Sequence, residues 1–488
     1  MNKENKKHSS FLLTFLPMII RFGLSFFLIR KFGLILGIIL IYITFKIYEL
    51  YMYYIFGLEN ITGIEKIYIT QELKNRFQIL SYFKISNFNK EKLKKFLIEK
   101  YFYSLKKFRQ KLILKYYEYW LYEVPKEEIL NTIKILNEPI NNEEELLKFC
   151  HSELNNSIDI FNNLPYMCYL AESKKKNEGY LIFKFDHSMT DGLGLISSIC
   201  SVASNYSKDS FPSIIRNIKN SDPFLETLYY WLVFPYYSLR YALLFIPFLK
   251  DYNSPLVAKN YNGNSLIAKS KNYRLKDFEK YRKNIMKISF NSFMICVISS
   301  ALNKLTENEE LKKNVRIFVP YCRKMIPNDI NNVDLKNKTV CIISDVPIIK
   351  DLSIDNIKLV SKTVNKYYDK RIQFAYYKLS LIGGVYTTIQ FLEHIVKLFC
   401  SKFQLAFTNV PGPTNKLDFD GNIIDNLTTF IKAGRGMAFM PLMSYNNYFN
   451  FTLAVDESTN LKPEKVVELI ENELDNVLKQ TKNYESSD

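Results

Sequence analysis

His187 and Asp191 stand four residues apart, and Gly192 follows directly. If the chain turns helically after residue 186, residues four apart share a face, so the carboxylate can orient the imidazole or brace the loop beneath it. Glycine at the next position lets another backbone or a ligand approach closely. A histidine held in this way can take a proton from a hydroxyl group. A helix cap formed by Ser188 and Asp191 is the simpler alternative, and both interpretations can hold together.

The surrounding residues predict that this histidine lies where a strand ends and a helix begins. Residues 179–186 are apolar and rich in β-formers, which is typical of a buried strand. The apolar run that continues to Ser204 suits a helix. The chain has only four histidines, which disfavours a histidine-rich metal site and leaves few candidates for acid–base chemistry.

The composition limits the classes of protein to which the chain can belong. Its 488 residues are enough for two domains and an appendage, and a hydrophobic fraction of 48% excludes wholesale disorder. The net charge of +17 suggests an anionic partner: a membrane surface, a phosphorylated cofactor or a nucleic acid. The basic residues are dispersed and no nucleic-acid-binding module is recognisable, so we predict no nucleic-acid partner. Seven cysteines without a C-x-x-C pair indicate reduced thiols in a cytosol-facing protein, and we predict no metal site.

Two apolar blocks predict contact with a membrane. Residues 11–58 are interpreted as an anchor, either one span or a tight hairpin, with a cytoplasmic N-terminus. A cleaved signal peptide is the competing interpretation, but the block is too long and no small-residue cleavage site follows it. Residues 224–250 are rich in aromatics and interrupted by Pro235 and Pro247, which favours a bent helix in the membrane surface. An interdomain core helix is the alternative for this second block.

Strands and helices are predicted to alternate in both halves of the chain, which indicates an α/β fold. The further predicted elements are a strand at 77–85, an amphipathic surface helix at 90–115, a linker at 251–275, a helix at 291–304, strands at 315–319 and 339–346, a helical stretch at 353–400, a strand at 404–408, a β-hairpin at 437–444 and 449–455, and a terminal helix at 464–480.

These motifs together resemble a known family. The segment from His187 to Gly192 resembles the H-x-x-x-D-G motif of CoA-dependent acyltransferases and peptide-synthetase condensation domains. Residues 408–413, Thr-Asn-Val-Pro-Gly-Pro, are similar to the S-N-V-P-G-P signature of the wax ester synthase/diacylglycerol acyltransferase family. Further matches in family order are a Val-Pro strand end followed by Arg323, Asn291 at a helix start, Asn337, and Ser444-Tyr445-Asn446 with Asp456. The ordered set extends over residues 75–480.

The resemblance implies a fold and a set of site residues. The fold would be two layered α/β domains of the CoA-dependent acyltransferase type, forming a pseudo-dimer around a central tunnel. His187 would be the general base, with Asp191 and Gly192 completing its motif. The residues implied to line the substrate channel are Asn409, Pro411, Gly412, Asn291 and Arg323, and Arg323 is also the expected buried partner of Asp191. An ordinary turn is the alternative for the Pro-Gly segment.

The sequence departs from the family pattern at the motif itself. Asp186 replaces the first histidine of H-H-x-x-x-D-G, and Ser292 replaces an aspartate. If Asp186 contacted His187, the carboxylate would raise the pKa of the imidazole and alter the pH dependence of turnover. These departures also leave open a lipid-binding relative without activity.

We therefore predict a membrane-bound O-acyltransferase that joins a fatty acyl-CoA to a long-chain alcohol or a diacylglycerol. Acyl-CoA would be a co-substrate, and no permanently bound cofactor is implied. The partners would be acyl-CoA, the lipid acceptor and membrane lipid, at the endoplasmic reticulum with the catalytic domains in the cytosol. An acyltransferase for another alcohol is a further alternative. The predicted divisions are an anchor at 1–58, an N-terminal domain at 59–208, an apolar helical segment and linker at 209–262, and a C-terminal domain at 263–488.

Overall fold

The computed structural model describes residues 3–61, 63–69, 72–116, 118–216, 223–245, 254–258, 260–305, 314–322, 324–366, 368–400 and 402–485. The helices are α1 (Lys3–Phe32), α2 (Leu34–Phe56), α3 (Gly63–Tyr68), α4 (Lys90–Phe96), α5 (Lys126–Leu130), α6 (Glu143–Asn155), α7 (Gly192–Ser201), α8 (Ser213–Arg216), α9 (Phe224–Phe245), α10 (Leu275–Lys280), α11 (Phe290–Leu305), α12 (Ile354–Asn365), α13 (Lys370–Tyr386), α14 (Ile389–Cys400) and α15 (Pro463–Glu485).

The strands among these residues are β1 (Leu58–Glu59), β2 (Gln78–Ser86), β3 (Gln110–Lys115), β4 (Glu118–Glu123), β5 (Ile133–Ile135), β6 (Tyr166–Glu172), β7 (Glu178–Asp186), β8 (Ser265–Lys269), β9 (Tyr273–Arg274), β10 (Asn314–Cys322), β11 (Thr339–Pro347), β12 (Leu405–Pro411), β13 (Asp418–Phe419), β14 (Asn422–Ile431), β15 (Ala438–Tyr445) and β16 (Tyr448–Asp456). Helices and sheets in both halves confirm the predicted α/β class.

Two large sheets carry the two halves of the chain. The first has the order β13-β14-β2-β7-β6-β5. The second has the order β11-β10-β12-β15-β16-β8, with β9 beside β16. The turn between β15 and β16 uses Asn446 and Asn447, both with positive φ, as expected for a two-residue hairpin. This hairpin, the strand before His187 and the helix after it agree with the sequence prediction.

One strand crosses between the halves. β14, at residues 422–431, pairs antiparallel with β2, so that Ile431 lies opposite Ile79 and Ile423 lies opposite Ser86. The C-terminal half therefore supplies two strands, β13 and β14, to the sheet whose strand β7 ends directly before His187. The predicted domain boundaries stay a prediction, and this exchange of strands means that the sheets do not divide strictly by sequence.

Two of the predicted elements are wrong in part. The helix predicted at 90–115 ends as α4 at Phe96, continues as a wider π-type turn to Phe102, and gives way to strand β3 at Gln110. β3 alternates buried and accessible side chains because it pairs with β4 around the buried Trp120. The linker predicted at 251–275 contains β8 and β9, which complete the second sheet beside β16.

The N-terminal block forms two helices that turn back on each other at Gly33, which has φ 79°. A side chain at Gly37 would lie 2.7 Å from the Ile29 backbone, so the two helices touch closely near the turn. The two helices therefore form a hairpin, one of the two predicted arrangements, and its placement in a membrane stays a prediction. α2 is long and apolar enough to cross a membrane by length and composition.

The second apolar block is one helix, α9, which continues through Pro235 and packs on α13. Tyr230 and Trp231 contact the ring of Phe374 on that helix. The other side of α9 is open, with Leu225 and Leu232 about three-quarters exposed. An interdomain core helix does not fit this exposure, whereas the membrane-surface location stays a prediction. Residues 246–250, including Pro247, lie outside the described residues.

Candidate active site

His187 occupies the first position after strand β7, and both of its backbone groups are fixed. Its N–H donates to the carbonyl of Phe77 at 2.8 Å, and its carbonyl accepts from Asn337 Nδ2 at 3.0 Å. Phe77 directly precedes β2, and Asn337 lies two residues before the start of β11, so a segment next to each large sheet supplies one of these bonds. The backbone of His187 is thereby held between the two halves of the molecule.

The imidazole of His187 lies flat against a tyrosine ring. The centroids of His187 and Tyr68 are 4.1 Å apart, and their planes differ by only 6°. Tyr68 is the last residue of α3, and the edge of Phe77 contacts its ring. Sequence reasoning missed Tyr68 because no local pattern links it to the histidine motif.

Asp191 is the N-cap of α7 and forms the centre of a buried ion pair. Its Oδ1 accepts from the Gly194 N–H at 2.8 Å, and its Oδ2 accepts from the Lys338 N–H at 3.0 Å. Lys324 Nζ lies 2.8 Å from Oδ2, and both side chains are 2% exposed. Asp191 has the predicted capping role, since its carboxylate accepts from the Gly194 N–H. No hydrogen bond joins Asp191 to His187.

Among the described residues, the cationic partner of Asp191 is Lys324. Arg323, the partner named from the sequence, lies outside the described residues, so its pairing with Asp191 stays a prediction. Gly194 leaves the space that Lys324 needs, because a Cβ there would lie 2.5 Å from the lysine Nζ. A basic residue after the Val-Pro strand end was the available signal for Lys324.

Burial dominates the electrostatics of His187. Desolvation lowers the pKa of its imidazole to about 4, and repulsion from Lys324 acts in the same direction. A hydrogen bond to its own backbone and attraction by Asp191 oppose this change but are smaller. The imidazole is therefore neutral at physiological pH, which is the form that can accept a proton.

Asp186 belongs to a different environment from its neighbour. Its Oδ1 accepts from the Ser188 N–H at 3.0 Å, and the charges that act on it come from Arg76 and Arg435. Its side chain is fully buried, and desolvation raises its pKa despite these two guanidinium groups. No hydrogen bond joins Asp186 to His187, and the charges that act on the imidazole are those of Asp191 and Lys324, so the condition for a raised histidine pKa is not met.

Two glycines allow the histidine motif and the Asn-Val-Pro-Gly-Pro segment to meet. A Cβ at Gly192 would lie 2.9 Å from Val410 Cγ2. A Cβ at Gly412 would lie 2.4 Å from the carbonyl oxygen of Ser444, which accepts the Gly412 N–H at 2.9 Å. Pro411 is the last residue of β12, opposite Ser444 on β15. These close contacts explain why both motifs need glycine.

Asn291 and Asn409, predicted from the resemblance, are brought together. Asn409 Nδ2 donates to Asn291 Oδ1 at 2.7 Å. Asn409 lies on β12, and Asn291 lies in the first turn of α11, 118 residues earlier in the chain. The two amides join the strand of one motif to the helix start of the other.

A cavity of about 1490 Å³ connects these residues. It is lined by His187, Asp191, Gly192, Asn291, Asn409 and Pro411, and most of its remaining wall is apolar. A volume of this size exceeds a typical small-molecule pocket, which is about 300–1,000 Å³.

Two groups of cavity-lining residues are exposed at the surface. Arg274, Lys276 and Glu279 form a polar group, beside the partly exposed Arg282. Ala242 on α9 and Leu379 on α13 form an apolar group.

Comparison with known proteins agrees with this geometry. Residues 335–477 match the WS/DGAT C-terminal domain. The chain is 21% identical to wax ester synthase/diacylglycerol acyltransferase 11 of Arabidopsis thaliana over 374 residues, which are 67% of this chain and 75% of that protein.

Two solved structures have the same fold. The wax ester synthase/diacylglycerol acyltransferase from Marinobacter aquaeolei VT8 superposes with a TM-score of 0.59 at 14% identity, covering 86% of this chain and 98% of that one. A mutant starter condensation domain of rhizomide synthetase, solved with C8-CoA, gives a TM-score of 0.56 at 10% identity, covering 87% and 95%. With the matching C-terminal domain and the curated relatives, these similarities support an acyltransferase of the wax ester synthase/diacylglycerol acyltransferase type.

Proposed function

We propose that this protein is a membrane-bound enzyme that transfers a fatty acyl group from acyl-CoA to a long-chain alcohol or a diacylglycerol. The observation that carries the proposal is the neutral His187 on the wall of one cavity whose lining is exposed at a polar group and at an apolar group of side chains. We propose that these groups mark a polar mouth and an apolar mouth. The products would be a wax ester, a triacylglycerol or both.

Acyl-CoA would enter at the polar mouth. Arg274, Lys276 and Arg282 can attract the phosphates of CoA there, because exposed basic side chains raise the local concentration of an anionic substrate. The apolar wall beyond them suits an acyl chain. The C8-CoA complex of the related condensation domain supports this choice of donor.

The lipid acceptor would enter at the apolar mouth, between α9 and α13. The open face of α9 carries Leu225, Leu232 and Leu239 at more than 60% exposure, and α2 carries a similar apolar surface. Such faces favour burial in the membrane interface. We propose attachment to the endoplasmic reticulum with the catalytic halves in the cytosol, so that an acceptor dissolved in the bilayer reaches this mouth directly.

In the proposed reaction the His187 imidazole takes the proton of the acceptor hydroxyl. The hydroxyl oxygen forms a bond to the thioester carbonyl carbon, which gives a tetrahedral oxyanion. When this intermediate collapses, the carbon–sulfur bond breaks, and the imidazolium returns its proton to the departing CoA thiolate. The products are an ester and free CoA, and the histidine is again neutral.

The experiment uses membranes from cells that express the full chain. Labelled palmitoyl-CoA is supplied with hexadecanol or with diacylglycerol, and His187→Ala is assayed beside the wild type. We expect the wild type to form labelled ester and the variant to lose at least a hundredfold of that rate, in line with removal of a general base. The ratio of the two products identifies the preferred acceptor.

Other outcomes would replace parts of this proposal. Equal ester formation by wild type and His187→Ala would remove the histidine from the mechanism. Ester formed only with a shorter or sterol-like alcohol would change the acceptor and leave the acyl transfer intact. Binding of the lipids without turnover, by a folded protein in the membrane, would favour the silent lipid-binding alternative.

A further inference from the structure

We propose that Tyr68 is a positioning residue for His187, because its ring fixes the plane of the imidazole that the carboxylate of the motif leaves free. The inference rests on the proposed function, in which His187 is the base. It concerns a residue outside every motif that the sequence resemblance supplied.

The geometry of the pair is that of a parallel stack. The ring centroids lie 4.1 Å apart and the planes are inclined by 6°, so Tyr68 covers one face of the imidazole. Both residues line the cavity. A ring packed flat against another ring tilts out of the common plane less easily than it slides or turns within it, so the stack fixes the plane in which the imidazole lies.

No hydrogen bond to a side chain orients the imidazole. Among the described residues, His187 Nδ1 has no side-chain partner, and the hydrogen-bonding group that acts on the imidazole charge is the backbone of His187 itself. Catalytic imidazoles are commonly oriented by a carboxylate on one ring nitrogen. Here Asp191 directs both of its oxygens to Gly194, Lys338 and Lys324 instead. The ring of Tyr68, which stacks on the imidazole, is in contact with it instead.

Tyr68 is itself held rigidly, because α3 is fixed to α13. Gly63 and Gly384 bring the two backbones together: a Cβ at Gly384 would lie 2.1 Å from Gly63 Cα. The buried Lys66 Nζ donates to the Gly384 carbonyl at 2.6 Å, at the C-terminal end of α13, where a cation is favourable. The edge contact with Phe77 completes the support of the Tyr68 ring. Phe77 also accepts the His187 N–H, so one residue holds both members of the stack.

The stack also excludes water from one side of the base. Desolvation raises the pKa of the Tyr68 hydroxyl well above its usual value, so the ring stays uncharged. The groups that act on the imidazole charge are the backbone of His187 itself, Asp191 at the start of α7, Lys324 after β10, and the dry surroundings to which Tyr68 contributes. Removing the ring would admit water, stabilise the imidazolium and raise the pH at which activity is lost.

The experiment compares Tyr68→Phe, Tyr68→Leu and Tyr68→Ala in the full-length membrane protein, with palmitoyl-CoA and the preferred acceptor. We expect Tyr68→Phe to keep kcat within about threefold, because the stack is intact. Tyr68→Leu should lower kcat by 10- to 100-fold with KM changed less than threefold, because only the orientation of the base is lost. Tyr68→Ala should in addition move the acidic limb of the pH–rate profile upward, towards the ordinary histidine value.

Tyr119→Leu serves as the matched control, since it removes a tyrosine ring that packs on Phe161 and does not line the cavity. It should change neither kcat nor the pH profile. Equal kcat for Tyr68→Leu and Tyr68→Phe, or an unmoved acidic limb in Tyr68→Ala, would overturn the proposal. If His187→Ala keeps full activity, the general-base assignment has failed. If His187→Ala is inactive but the Tyr68 variants behave as wild type, only this inference has failed.

Discussion

The chemistry at the residue scale depends on keeping one imidazole neutral. Burial keeps the His187 imidazole neutral. The ion pair with Lys324 neutralises Asp191, so the carboxylate has only a small effect on the pKa of the imidazole. A base whose pKa lies far below neutral pH is always available, although it is a weaker base than a histidine with an ordinary pKa.

The first prediction concerns pH. Because the pKa of His187 is lowered to about 4, kcat/KM should stay constant as the pH falls through 6.5 and should decline only towards pH 4. The unfolded chain, with an ordinary histidine, binds its proton at a higher pH than the folded one. Folding stability should therefore fall as the pH drops from 6.5 towards 4. Initial rates across this range, with thermal unfolding at each pH, check both statements, and an acidic limb near 6.5 would contradict them.

The second prediction concerns the buried pair. Lys324→Met leaves the Asp191 carboxylate without its cation, and breaking one side of a buried pair costs about 3–5 kcal/mol. We expect a large loss of stability in urea unfolding and loss of activity. The double variant Lys324→Met with Asp191→Asn should recover a substantial part of the stability, because no buried charge is left alone. A double variant no more stable than the single one would argue against the pairing.

The candidate site was predictable where its residues lie in one segment and not where distant segments meet. His187, Asp191 and Gly192 form a local motif whose spacing carries meaning. Tyr68 and Lys324 reach that motif only through the packing of α3 and the end of β10, which no local pattern encodes. Asp186 shows that adjacency in the sequence does not decide contact: its carboxylate accepts from the Ser188 N–H and forms no hydrogen bond with His187.

At the scale of elements, the site is assembled where backbones approach closely. The strand before His187 and the Asn-Val-Pro-Gly-Pro strand were both predictable, because their apolar runs end in recognisable turns. Strand β14 was missed, since Asp425, Asn426 and Thr428 interrupt its apolar pattern and its pairing contains a register shift between Ile424 and Asn426. The segment 90–115 was misread because charged residues at helical spacing hide the alternation of β3.

The third prediction separates two kinds of glycine contact. Gly192→Ala would bring its new methyl group within 2.9 Å of Val410 Cγ2, a side-chain atom, so adding Val410→Ala should restore much of the lost stability. Gly412→Ala would bring its methyl group within 2.4 Å of the Ser444 carbonyl oxygen, which no side-chain truncation can remove. Melting temperatures of the two single variants, the double variant Gly192→Ala with Val410→Ala, and Gly412→Ala with Val410→Ala test this contrast. Equal rescue of both glycine variants would contradict it.

At the scale of the whole molecule, the apolar surfaces and the cavity belong to one arrangement. Tyr386, the last residue of α13, stacks on Phe22 of α1 and contacts Phe45 of α2, so the N-terminal hairpin packs on a helix that lines the cavity. Arg21 on α1 forms an ion pair with Glu118 on β4. The hairpin therefore packs on the catalytic halves, and its exposed apolar face takes no part in these contacts.

The last prediction tests whether this open face binds the membrane. Ile35 and Ile38 on α2 are 78% and 53% exposed, so replacing both with glutamate should leave the folded protein intact. A carboxylate in the hydrocarbon region is costly, by about 2.5–3.5 kcal/mol at the centre of a membrane helix, so we expect flotation with phospholipid vesicles to fall more than tenfold. Ester formation from a vesicle-embedded alcohol should fall with it, whereas a short, water-soluble alcohol should react at the wild-type rate, because the cavity is unchanged.

Leu359→Glu is the control, since Leu359 is 51% exposed on α12, away from both apolar blocks. Flotation of the double variant at the wild-type level would mean that α2 does not hold the protein to the membrane, and equal loss with both alcohols would mean that the substitutions act on the fold rather than on access to the lipid.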